Sequence, residues 1–163
     1  MKRGKPTATR PGVAEAVTAA RAVLAAADTT LDGWSCEAST DCCRFGVTGR
    51  EPFVTAVEWE IVRIAVAARG LPKRRLVVVD ERPCRLLDER GRCAVYDARP
   101  LGCRTFYCDR ASGPTRRPPR DTLAELGRKL ADLSERVEPG EGPRALSRRL
   151  EELEQRGVAK RPR

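Results

Sequence analysis

Apolar residues recur at helical spacing in four stretches of the chain. Val13, Val17, Ala20 and Leu24 fall on one face of an alanine-rich run, predicting a helix over 13–27 that ends near Asp28-Thr29-Thr30. Val57, Ile61, Ile64 and Val66 predict a second helix. Thr55 and Glu58 form a capping box at its start, and Gly70 followed by Pro72 stops it. Leu123, Leu126, Leu130 and Leu133 predict an amphipathic third helix, with Thr122 and Glu125 as a second capping box. Glu138-Pro139-Gly140-Glu141-Gly142-Pro143 breaks it, and Leu146, Leu150 and Leu153 mark a final helix.

Between the second and third helices the period changes. Arg75-Leu76-Val77-Val78-Val79 is a short β-like run. Cys84-Arg85-Leu86-Leu87, a polar turn at Asp88-Glu89-Arg90-Gly91, and Arg92-Cys93-Ala94-Val95-Tyr96 predict a small hairpin with Gly91 in the turn. Arg99-Pro100 opens a turn or short helix holding Cys103 and Cys108. Residues 31–54 read as irregular. The expected fold is mainly α with a small β-hairpin: a cysteine-rich, metal-stabilised domain over 13–111, a linker over 112–120 and a C-terminal helical extension over 121–156. Basic tails occupy 1–12 and 157–163.

Composition sharpens this picture. Aromatic residues make up only 4 % of the 163-residue chain, so the core rests on alanine, valine and leucine, and a metal or disulfide staple would add to it. The net charge of +9 invites a nucleic-acid reading. Its placement argues against one. Lys2, Arg3, Lys5 and Arg10 lie in the first tail, Arg116, Arg117 and Arg120 in the linker, and Lys160, Arg161 and Arg163 in the last tail, together exceeding the whole net charge. No apolar run is long enough to span a membrane, and no leucine-rich leader follows Met1-Lys2-Arg3, so the expected location is cytoplasmic.

There are seven cysteines and no histidine. Without histidine no Ser-His-Asp triad or Cys-His pair is possible, and the reading leans away from an enzyme. An odd cysteine count with an adjacent pair suits a disulfide framework poorly. Metal ligation suits it better, since a soft metal here must be held by sulfur. The candidate ligands are Cys36, Cys42, Cys43, Cys84, Cys93, Cys103 and Cys108. Arg99 and Arg104 are candidates to neutralise a thiolate-rich centre and to donate hydrogen bonds to it. Tyr96 and Phe106 are expected to pack around the site, and Trp34 and Trp59 to lie in the core. Two zinc ions sharing one bridging thiolate would use seven sulfurs, whereas one [4Fe–4S] cluster would use four. Both remain open. From an extended backbone, Cys42 and Cys43 would point their sulfurs to opposite sides.

Three segments together resemble a known family. Cys84-x-Leu86-Leu87, Gly91-x-Cys93-x-Val95-Tyr96 and Arg99-Pro100-x-x-Cys103-Arg104-x-Phe106-x-Cys108 are similar to the YkgJ-type cysteine-cluster family, the zinc- or iron-chelating CxxCxxCC domain. The resemblance spans residues 36–108. Ser39 stands where the family pattern over Cys36, Cys42 and Cys43 has a further cysteine. What the resemblance implies is binding of zinc or an iron–sulfur cluster, in a role that can be purely structural. Flagellin lysine N-methylases carry a similar cluster, but no motif for methyl transfer accompanies it here. The alternatives are an iron–sulfur-dependent enzyme or electron carrier, an adaptor binding a protein partner through the C-terminal helices, and a thiol redox sensor.

Overall fold

A computed structural model describes residues 11–36, 40–72, 82–105, 111–113 and 118–156. The first helix, α1, runs Pro11–Thr30. Proline suits the first helical position, where its missing N–H costs nothing. Ala16, Val17, Ala20, Leu24 and Ala27 form its buried face. The helix continues through Asp28-Thr29-Thr30, three residues past the expected end. The Thr29 and Thr30 hydroxyls donate back to the carbonyls of Ala25 and Ala26, so the residues expected to stop the helix complete its last turn.

A two-residue strand, β1 (Ser35–Cys36), a tight 3-10 turn (Thr40–Cys43), a single helical turn, α2 (Phe45–Thr48), and a second short strand, β2 (Phe53–Val54), lead to α3 (Ala56–Arg69). Both signals read for α3 are realised. Glu58 Oε2 accepts from the Thr55 N–H at 2.9 Å and from the Thr55 hydroxyl at 2.7 Å. Gly70, at φ 75°, closes the helix through its N–H to the Val66 carbonyl. Val57, Trp59, Ile61, Val62 and Val66 fill the core.

The expected hairpin is reduced to its tip: one antiparallel bridge flanks the turn, and a 3-10 turn at Tyr96–Ala98 takes the place of the end of the second arm. Leu87 and Cys93 pair antiparallel, the Ala94 N–H bonds the Leu86 carbonyl, and Gly91 takes the left-handed conformation in the turn. Asp88 Oδ1 accepts from the N–H groups of Arg90 and Arg92, and those bonds hold its carboxyl below the usual carboxylate range. The β-like run at 75–79 lies outside the described residues.

A further turn of helix, α4 (Leu101–Arg104), precedes β3 (Ala111–Ser112). β3 pairs antiparallel with β1, Ser35 opposite Ser112 and Cys36 opposite Ala111. The Trp34 indole covers Gly113, leaving no room for a Cβ there. The described start of the expected linker is thus paired with β1 and held against Trp34.

α5 (Arg120–Ser134) differs from expectation at its start. The cap position is Pro119, and Thr122 already lies inside the helix, so the Thr122–Glu125 box does not form. Proline with its fixed φ brings the chain into the helix earlier than the threonine signal suggested. Glu125 pairs instead with Lys129 at 2.7 Å. Last come β4 (Arg144–Ala145), antiparallel to β2, and α6 (Leu146–Gln155).

α1, α3 and α5 pack against one another. Leu130, Leu146, Leu150 and Leu153 join the same core cluster as Val57, Ile61 and Cys84. The leucine faces of the C-terminal helices are turned inward.

Arg149 of α6 is 4 % exposed, and its guanidinium bonds both carboxylate oxygens of Glu138, at 2.6 and 3.2 Å. The Arg149 hydrogen bonds hold the Glu138 carboxyl below its ordinary range. A depressed folded value contributes stability above the ordinary carboxylate pKa, and that contribution is lost as pH falls through the lower folded value. Glu138→Gln is expected to cost about 1–2 kcal/mol at neutral pH, discounted from the usual buried-pair loss because Glu138 is partly exposed. In urea unfolding from pH 7 to pH 3, the gap between wild type and variant should narrow on acidification. A gap constant with pH would refute the assignment.

Candidate metal centre

The cysteines are delivered to one region by four local devices. The 3-10 turn Thr40–Cys43 ends in Cys42 and Cys43. Residues 82–84 then lie antiparallel along 43–45. The Phe45 N–H bonds the Arg82 carbonyl at 3.1 Å, Arg44 pairs with Pro83, and the Cys84 N–H bonds the Cys43 carbonyl at 2.6 Å. Cys84 is thereby fixed beside Cys43. The hairpin carries Cys93 back towards Cys84 through the Leu87–Cys93 pair. Cys103 sits on α4, which is held from two sides. The Leu101 N–H donates to Glu58 Oε1 at 2.7 Å, and Gly102 packs so closely on Pro52 that an added Cβ would stand 3.2 Å from the proline Cβ.

Cys42, Cys43, Cys84, Cys93 and Cys103 all line one cavity of about 1100 Å³, together with Phe45, Leu86, Leu87 and Val95. None of the five is in a disulfide. They are not equivalent. Cys84 belongs to the core, with Cys43, Cys93 and Cys103 packed against it, whereas Cys42 stays outside that cluster. The electrostatic couplings follow the same division. Cys43 senses Cys42, Cys84 and Cys103; Cys84 senses Cys93; Cys103 senses Cys84 and Cys93. Cys42 is coupled to Cys43, their sulfurs 4.0 Å apart.

Burial governs the protonation of the inner thiols. It pushes Cys84 up to about 12 and raises Cys93 and Cys103. Cys43 is raised first by its hydrogen bond to Cys42 and then by burial. That same bond, with help from Arg99, lowers Cys42 to about 6. In the metal-free protein the four inner sulfurs are therefore neutral thiols, and a bound cation must displace their protons. The donor set suits a thiophilic metal, being sulfur alone in a largely apolar wall. Among the described residues no three cysteines, aspartates or glutamates already stand within reach of a single ion.

The two arginines expected near the site play different parts. The Arg99 guanidinium lies 3.5 Å over the Tyr96 ring, its Nε donates to the Tyr96 carbonyl, and its charge favours the ionised forms of Cys42, Cys93 and Cys103. Arg104 donates to the carbonyls of Arg99 and Asp97 and pairs with Asp28 of α1. Its donors brace the loop that presents Arg99. Tyr96, expected to pack around the site, lines the cavity but is 57 % exposed and serves as the platform for Arg99. Trp59 is buried as expected, while Trp34 is half-buried.

Cys36 is placed only by its backbone, in β1 opposite Ala111. Cys108, Phe106 and Ser39 lie outside the described residues. Sequence reasoning missed the second role of Glu58. Its capping box was legible, but its bond to Leu101 spans 43 positions, and no local pattern signals it.

Residues 35–119, just over half of the chain, match the family model CxxCxxCC, described as a "putative zinc- or iron-chelating domain". No curated protein and no solved structure matches the chain. No helix of the described residues is long and apolar enough to cross a membrane.

Proposed function

We propose, since the chain belongs to the CxxCxxCC family, that it binds a zinc ion or an iron–sulfur cluster through the thiolates of Cys43, Cys84, Cys93 and Cys103. The observation that carries this reading is the division among the cavity thiols. These four come from three separate segments, pack on one another's side of the core and are electrostatically coupled, with Cys42 at the edge. Four sulfurs satisfy one tetrahedral zinc or one [4Fe–4S] cluster. Cys36, Cys42 and Cys108 remain candidates for a second ion or for exchange with the first.

Bound metal would supply cross-linking between segments that are otherwise held by a few short ladders. Arg99 would offset the negative charge of a tetrathiolate site, and Glu58 would keep Cys103 presented to it. The role this supports is structural binding rather than catalysis. The absence of histidine leaves the described cavity with no neutral-pH acid or base of the usual kind.

The test is metal analysis with a visible spectrum on anaerobically purified protein. Iron at four per chain with brown, air-sensitive colour supports a cluster. Colourless protein with about one zinc supports a tetrahedral site. Protein that takes up neither, even after reconstitution, refutes the reading.

A further inference from the structure

A second ligand chemistry is present at the edge of the cavity. Cys42 and Cys43 are consecutive, both half-buried, with sulfurs 4.0 Å apart. In a strand, consecutive side chains point to opposite faces. The 3-10 turn that ends in this pair advances by roughly 120° per residue, and both residues line the cavity. A direct disulfide between them is poorly suited. Adjacent Cα atoms stand about 3.8 Å apart, below the ~4.4 Å at which unstrained disulfides begin. A single thiophilic atom placed between the sulfurs bridges the pair without that strain.

We propose that Cys42 and Cys43 form a chelating dithiol site for trivalent organoarsenicals, soft centres that take two thiolates and keep one organic substituent. The reaction is a condensation. An arsonous acid, R–As(OH)2, loses both hydroxyl groups, two As–O bonds break and two As–S bonds form. Each thiol proton leaves with a hydroxyl group as water. Arsenic stays trivalent, so no oxidant or reductant is needed. Phe45, Leu87 and Val47, the last 56 % exposed, line the same cavity and offer an apolar wall to an aryl substituent. The site differs from the proposed metal centre in requiring Cys42, and the two share only Cys43.

The test uses the full chain after chelator treatment, with phenylarsine oxide as the probe and intact-mass spectrometry as the readout. One adduct per chain is expected, removed by 2,3-dimercaptopropanol and resistant to excess monothiol. Cys42→Ser removes one of the two attachment points and should weaken binding about a hundredfold. Wild-type affinity in Cys42→Ser, or an adduct released by monothiol, overturns the proposal. The outcome is separable from that of the metal centre. A protein that holds no metal but shows this pattern retains the dithiol site, and one that holds metal in Cys42→Ser and binds the arsenical unchanged loses it.

Discussion

Cys103→Ser and Cys93→Ser are each expected to bring bound metal down to background and to broaden thermal unfolding. Both side chains pack against the core beside Cys84, and burial keeps both thiols protonated until a metal displaces the proton. A serine hydroxyl does not ionise under the same pull, so the fourth ligand is lost outright. The affinity loss should exceed the roughly 10–100-fold that removing an outer-sphere partner costs. Because metal-binding energy is folding energy in small sites of this kind, the melting transition should fall and lose cooperativity with it. Cys42→Ser, outside the core cluster, should retain its metal. Elemental analysis after gel filtration and scanning calorimetry read both effects. Unchanged metal and melting in the first two variants would count against direct ligation.

The second large effect is expected at Glu58. Its side chain is 3 % exposed and accepts three hydrogen bonds, two from Thr55 and one from the Leu101 N–H. Glu58→Ala leaves a buried capping position and the first N–H of α4 without partners. The expected cost is roughly 3–4 kcal/mol, combining a lost cap with unsatisfied buried donors. Glu58→Gln keeps the volume and one acceptor oxygen and should cost about half as much. The alanine variant should also lose metal affinity, because α4 carries Cys103. Urea unfolding combined with metal titration tests this. A stability loss below about 1 kcal/mol in Glu58→Ala would show that the clamp is dispensable.

The local signals in the chain were legible where one segment suffices to define them. The alanine-rich face of α1, the Thr55–Glu58 box, the Gly70 stop and the turn at Gly91 each depend on neighbours within a few residues, and each is realised. The second box, at Thr122, was overridden by Pro119, whose ring starts the helix earlier. The family was also legible, since the spacing and types of the cysteines carry it. How the thiols divide was not. That division depends on the antiparallel run of 82–84 beside 43–45 and on the Glu58–Leu101 bond, both long-range contacts. Nor did periodicity alone decide what the C-terminal leucines face. An amphipathic stripe reads the same whether it meets a partner or its own core. Here Leu130, Leu146 and Leu150 are buried within the chain.

X-ray absorption at the metal edge of the anaerobically prepared full chain tests the central claim most directly. Four sulfur neighbours around each metal atom are expected, at about 2.3 Å if the metal is zinc, and any zinc that Cys103→Ser still retains should show three. A first shell made mainly of oxygen or nitrogen, or, if the metal is zinc, a four-sulfur shell unchanged by Cys103→Ser, would contradict the account.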